Sequence, residues 1–132
     1  MRNILICGLV LMTAACGQQD TEEAGGSSQS FAQDITPSTA DIKIAQDSMP
    51  ADAAIAAKYD RSCRTCHSMV DAMAPLTKHE AAWQVRYAEK SMDDLLLSTK
   101  DGLNAMPPMG LCNDCSDAEF TALIDFMAGR SD

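Results

Sequence analysis

The chain has 132 residues, a net charge of −9 and six cysteines. This length allows one domain with a short extension, and the apolar fraction of 46% is ordinary for a globular protein. The excess of acidic residues argues against nucleic-acid binding, which needs clusters of Lys and Arg for the phosphates. It suits a solvated protein that meets a basic partner or none.

Residues 1–15 are typical of a signal peptide. Arg2 gives a positive start, and the apolar run from Ile4 to Ala15 is too short to span a bilayer but matches the apolar core of a signal peptide. Small residues precede Cys16, which resembles the lipobox of bacterial lipoproteins, and Gly17 after it resembles the signal for an outer-membrane destination. We therefore expect an exported protein on the periplasmic side, with a lipid on Cys16. Ordinary secretion without a lipid is the alternative.

Residues 16–50 are predicted to be the lipidated cysteine followed by a flexible linker. They are rich in Gly, Ser, Gln, Thr and acidic residues, and Phe31 is their one aromatic residue. Such a composition cannot bury enough apolar surface to offset its chain entropy. Residues 51–132 have the pattern of a folded domain.

Helical patterns dominate this domain, and no alternating strand pattern is present. Ser91 with Asp94 and Ser116 with Glu119 are N-capping pairs that mark the starts of the last two helices. Four short helices give a small core, and a domain with such a core usually needs a cofactor, a metal or a disulfide for stability. The predicted helices cover about residues 51–61, 79–89, 91–101 and 116–128.

The segment 63–67 reads Cys-Arg-Thr-Cys-His, and C-x-x-C-H is the attachment signal for c-type haem. Residues three and four apart share one face of a helix. Cys63 and Cys66 can therefore each form a thioether with one vinyl group of the haem. His67 would then bind the iron from the same side.

Two other interpretations of these cysteines are weaker. Cys63, Cys66, Cys112 and Cys115 form two C-x-x-C pairs, the ligand set of a zinc site. However, 45 residues separate the pairs, against about 15–20 in a zinc ribbon. The second interpretation is a disulfide between Cys63 and Cys66, with His67 at the surface.

The segment 104–110 contains two candidates for the second iron ligand. Its two prolines stiffen the chain, and a thioether ligand raises the potential of a haem relative to a second histidine. We expect Met106 to bind the iron, with Met109 as the alternative. His79 would give a bis-histidine site, but it is only 12 residues after His67, and we interpret it as an exposed residue at a helix start.

These features together resemble class I cytochromes c, most closely the small bacterial group called cytochrome c-five. The resemblance covers residues 50–132. It implies an all-α class I cytochrome c fold, with four to five short helices around one covalently attached haem c, and it assigns His67 and Met106 as axial ligands. It rests on Tyr59 before the motif, the motif itself, Ala74-Pro75, Trp83, Ala105-Met106-Pro107-Pro108, Gly110, and the Cys112-x-x-Cys115 pair before the last helix.

The resemblance also implies roles for residues around the iron. The carbonyl of Pro75 would hold the second ring nitrogen of His67, and Trp83 would pack by the haem edge, near a propionate. A disulfide between Cys112 and Cys115 would pin the Met106 loop to the last helix. A thiol–disulfide active site is the alternative for this pair, but the βαβ context of such sites is absent.

We therefore predict an electron-transfer protein rather than an enzyme. Two protein ligands on the iron would leave no position for a small-molecule substrate. The expected partners are redox proteins in the periplasm or the membrane, with a lipid anchor to the membrane and no nucleic acid. The alternatives are a haem module of a larger respiratory complex, and a haem enzyme or ligand sensor with a labile methionine ligand.

Overall fold

The computed structural model describes residues 35–131, which belong to one unit spanning residues 32–132. The described part is helical and contains no β-strand, which confirms the all-α prediction. The signal peptide, Cys16 and most of the predicted linker lie outside the described residues. The α-helices are α1 (Thr39–Asp47), α2 (Ala53–Lys58), α3 (Arg64–His67), α4 (Glu80–Glu89), α5 (Met92–Asp101) and α6 (Asp117–Met127).

Helix α1 lies where the sequence analysis placed the linker. Its N-cap is Ser38, whose side chain accepts a hydrogen bond from the backbone of Asp41, while the Asp41 carboxylate accepts one from the Ser38 backbone. Ala45 on α1 is fully buried, and Arg64 donates to the carbonyl of Gln46 at 2.9 Å. Local capping and this packing outweigh the polar composition of the segment. The folded part therefore begins before residue 51.

Residues 53–67 form one continuous helical segment. The Asp52 carboxylate caps α2 by accepting hydrogen bonds from the backbone N–H groups of Ala54 and Ile55. A π-helical turn at Tyr59–Cys63 joins α2 to α3. The predicted first helix stopped at about residue 61, whereas the observed segment continues through His67. Tyr59 is fully buried, and its ring meets that of Phe126 edge-on at 5.0 Å between centroids. The haem motif is therefore part of a helix fixed to the core.

Helix α6 supplies the largest share of the core. Its capping box, Ser116 with Glu119, and that of α5, Ser91 with Asp94, both form as predicted. The apolar stripe of α6 is almost completely buried, as expected for a helix with one apolar face. Its buried residues are Phe120, Leu123, Ile124, Phe126 and Met127.

Candidate haem-binding site

The two cysteines of the motif follow each other across one helical turn. Cys63 ends the π-helical turn and Cys66 lies in α3. Both thiols are free, so the structure does not contain the Cys63–Cys66 disulfide that the sequence left open. Burial raises the pKa of the Cys63 thiol, which keeps it protonated at neutral pH. Two free thiols on one helical turn match what covalent attachment to two vinyl groups requires.

His67 is held by the chain that follows it. Its Nδ1 lies 2.7 Å from the carbonyl oxygen of Pro75, to which Nδ1–H can donate. This bond leaves Nε2 as the nitrogen available to a metal. His67 is only 7% exposed, and burial lowers its pKa although the Pro75 bond opposes that shift. The imidazole is therefore oriented and neutral, which is the form that binds metals.

Trp83 packs against the His67 imidazole. The two rings are nearly parallel, at 25°, with their centroids 6.1 Å apart. The indole Nε1–H donates to the carbonyl of Leu76 at 2.9 Å. This bond uses the one donor of the indole, so the Leu76 carbonyl and the His67 ring fix the position of Trp83.

Met106 lies in a tight turn after α5. Leu103 and Met106 exchange two backbone hydrogen bonds, of 3.1 and 2.9 Å. Gly102 begins this turn at φ 87°, where a Cβ would come within 2.9 Å of the Met106 carbonyl oxygen. Gly110, at φ 52°, lies against the other end of the same residue, because a Cβ there would be 3.0 Å from the Met106 methyl carbon Cε. Two glycines therefore fit closely around Met106.

Met109 differs from Met106 in its surroundings. It has φ 60° in the 3₁₀ turn Pro108–Leu111, a conformation that is uncommon for a residue other than glycine. Its side chain is partly buried and packs against the hydrophobic core.

The structure joins Cys112 and Cys115 by a disulfide, with 5.4 Å between their Cα atoms, which is usual for such bonds. Paired in this way, the two sulfurs are not available for the four-thiolate zinc site. Arg61 of the π-helical turn lies 3.5 Å from the sulfur of Cys112 and 2.5 Å from the carboxylate of Asp114. The disulfide loop is thereby fixed to the helical segment that carries the haem motif.

His79 is not the exposed residue that the sequence analysis predicted. It is 6% exposed and precedes α4 as its N-cap. It borders a cavity lined also by Thr36 and Asp41 from the region of α1. The error follows from the omission of α1, which the Ser38-x-x-Asp41 pattern could have revealed.

Thr77 is a residue that sequence reasoning missed entirely. It is fully buried, its backbone N–H donates to the His67 carbonyl at 2.8 Å, and its hydroxyl lies 2.8 Å from that of Tyr59. No sequence pattern signals such a contact, because its partners are 10 and 18 residues away.

Comparison with known proteins gives one consistent result. The family model described as cytochrome c oxidase, cbb3-type, subunit III matches residues 42–127. Cytochrome c5 of Azotobacter vinelandii is 45% identical over 76 residues, which are 57% of this chain and 88% of that protein. Cytochrome c5 of Ectopseudomonas mendocina is 39% identical over 70 residues, covering 52% and 80%. No solved structure gives a significant match.

The matched region includes the whole motif, and the groups found there fit a c-type haem. Cys63 and Cys66 supply free thiols, and His67 supplies a neutral imidazole with Nε2 available. The protein therefore carries covalently bound haem c and transfers electrons rather than catalysing a reaction. The chain belongs to the class I cytochromes c.

Proposed function

We propose that this protein is a monohaem electron carrier tethered by a lipid to the periplasmic side of the outer membrane. The observation that supports the carrier function is the oriented, neutral His67 imidazole beside two free thiols. In this proposal Cys63 and Cys66 hold the haem and Nε2 of His67 binds its iron. The haem supplies a metal that accepts and gives up one electron without breaking bonds.

Met106 is the proposed second axial ligand. The close fit of Gly102 and Gly110 around it supports this assignment, because a stiff loop can hold one ligand through changes of oxidation state. Met109 is less suited, since its side chain already packs into the core. With His67 and Met106 both bound, the iron would have no open position for a substrate.

The Cys112–Cys115 disulfide has a proposed structural role beside this loop. It follows the 3₁₀ turn directly and precedes Ser116, the N-cap of α6. In the chain-entropy model, closing so short a loop contributes about 2 kcal/mol to stability. We assign to it the fixing of the Met106 loop to the start of α6.

The proposed tether consists of the lipid on Cys16 and the residues before α1. Since α1 begins at Thr39, the linker in this proposal covers residues 17–38, and a coil of that length averages about 25 Å from end to end. None of the helices within residues 35–131 is long and apolar enough to cross a membrane. In this proposal, movement on the tether would bring the domain to periplasmic and membrane-bound redox partners.

Replacement of the two methionines tests the axial ligand. We expect Met106→Ala to abolish the far-red sulfur-to-iron charge-transfer band of the ferric protein, because the iron loses its thioether. Met109→Ala is the matched control and should retain the band. A band that survives in Met106→Ala and disappears in Met109→Ala would contradict the assignment.

Replacement of the lipid-bearing residue tests the tether. In a host that processes lipoproteins, Cys16→Ser should move the haem protein from the membrane fraction to the soluble periplasmic fraction. Cys7→Ser is the matched control, since this residue leaves with the signal peptide. Equal membrane association of Cys16→Ser and the wild type would refute the tether but not the electron carrier.

A haem module of a larger respiratory complex is the second candidate. The description of the matching family model, which names a subunit of an oxidase, favours it. Gentle solubilisation of membranes distinguishes the two. On size-exclusion chromatography of the solubilised membranes, a carrier elutes alone, whereas a module elutes together with its complex.

A further inference from the structure

The loop between α3 and α4 forms two hydrogen bonds with His67. Pro75 accepts a hydrogen bond from the imidazole Nδ1, at 2.7 Å. Two residues later, Thr77 donates its backbone N–H to the His67 carbonyl at 2.8 Å. The position of the loop 75–77 therefore sets both the backbone of His67 and the direction of its ring.

Trp83 fixes this loop from α4. Its Nε1–H donates at 2.9 Å to the carbonyl of Leu76, which also accepts from the backbone of His79 at 3.1 Å. Leu76 lies between Pro75 and Thr77, which are both hydrogen-bonded to His67, and it is only 2% exposed. The same indole stacks on the His67 ring. Trp83 therefore acts on the imidazole both directly and through the loop.

Tyr59 fixes the loop from the opposite direction. Its hydroxyl lies 2.8 Å from the hydroxyl of Thr77, and both residues are fully buried. Tyr59 lies in the π-helical turn that ends at Cys63, the first cysteine of the motif. The bond therefore joins the helical segment that carries the motif to the loop that orients its histidine.

We propose that Trp83 and Tyr59 are positioning residues for His67, which together hold the loop 75–77 so that the Nδ1–H bond to Pro75 keeps its length and direction. The inference rests on the proposed function, in which His67 binds the iron. It differs from the role near a propionate that the resemblance implied for Trp83. A carbonyl held at Nδ1 makes the imidazole a more basic ligand, so the two residues would also set the electron density at the iron.

The test uses conservative variants of the haem-loaded protein. Tyr59→Phe removes one hydroxyl, and Trp83→Phe removes the N–H donor while keeping a ring. Tyr87→Phe is the matched control, because it removes a hydroxyl from α4 that lies 3.4 Å from Asp125. The measurement is the hydrogen-exchange rate of the His67 Nδ1–H, by NMR of the ferrous protein with ¹⁵N-labelled histidine. The backbone amides of α6 serve as the reference for global opening.

We expect Tyr59→Phe and Trp83→Phe each to raise the Nδ1–H exchange rate about tenfold relative to the α6 amides, because one bond that holds the loop is lost. Tyr87→Phe should leave that ratio unchanged. If the Nδ1–H and the α6 amides accelerate in parallel in both variants, these residues only stabilise the fold and the inference is refuted.

The far-red band of the ferric wild type keeps this test separate from the proposed function. An intact band with unchanged Nδ1–H exchange in both variants refutes positioning and leaves the electron carrier standing. A wild type that carries no haem refutes both.

Discussion

Gly110 lies against the side chain of Met106, the proposed second iron ligand. Its φ of 52° lies in the region where a side chain is strained, and a Cβ there would lie only 3.0 Å from the Met106 methyl carbon. A side chain at this position would therefore push the Met106 methyl group or the loop aside.

We therefore predict that Gly110→Ala weakens or abolishes the far-red sulfur-to-iron band. The backbone strain of a left-handed alanine should also lower stability by about 1 kcal/mol. Gly129→Ala is the matched control: it has φ 72°, but its Cβ would lie at an ordinary 4.0 Å from Lys78. The prediction fails if absorption spectra show the same band in both variants.

At the residue scale, the sequence predicts the groups whose spacing is local. Cys63, Cys66 and His67 form one pentapeptide, so the motif alone indicates their chemistry. The resemblance, in turn, implied the Pro75 carbonyl beside His67. The roles of Thr77 and of the Trp83 donor depend on contacts between separate segments, which no local pattern records.

At the scale of elements, one residue at the start of α6, Glu119, both caps its own helix and forms an ion pair with α2. Glu119 accepts hydrogen bonds from Ser116 in the capping box and lies 2.8 Å from Nζ of Lys58 in α2. The Lys58 ammonium and the Ser116 bonds lower the pKa of Glu119 to about 2.

Glu119→Gln tests this arrangement through its pH dependence. Because the folded-state pKa lies below the ordinary value of 4.5, the carboxylate stabilises the fold above pH 4.5 and loses this effect as the pH falls through about 2. The variant should therefore unfold at a lower temperature than the wild type at pH 7, and the difference should shrink below pH 4.5 and disappear below pH 2. Thermal unfolding followed by circular dichroism across this range measures it, and a difference that is independent of pH would contradict it.

The helices differ in how well the sequence predicts them. The starts of α5 and α6 and the apolar stripe of α6 were predicted because caps and periodicity are local signals. Helix α1 is not predicted, because the polar composition of residues 17–50 indicates a linker although the capping pair Ser38 and Asp41 lies within it. The π-helical turn Tyr59–Cys63 has no signal in the sequence.

At the scale of the whole molecule, a thin helical core surrounds groups whose chemistry points to one cofactor. The apolar residues of α5 and α6 pack around Tyr59, and the helical segment that contains Tyr59 carries the free thiols and the imidazole. The fold class follows from the periodicity of the sequence and the comparisons. The arrangement of the loops around His67 and Met106 required the structure.

The intact mass of the denatured protein tests the central claim most directly. The mature chain should be produced in a host that attaches c-type haem, unfolded in acid and extracted with organic solvent before measurement. We predict a red protein whose mass exceeds that of the chain by one haem, with no free thiol at Cys63 or Cys66. A colourless, fully folded protein that has the mass of the chain alone and both of these thiols reactive would contradict the account.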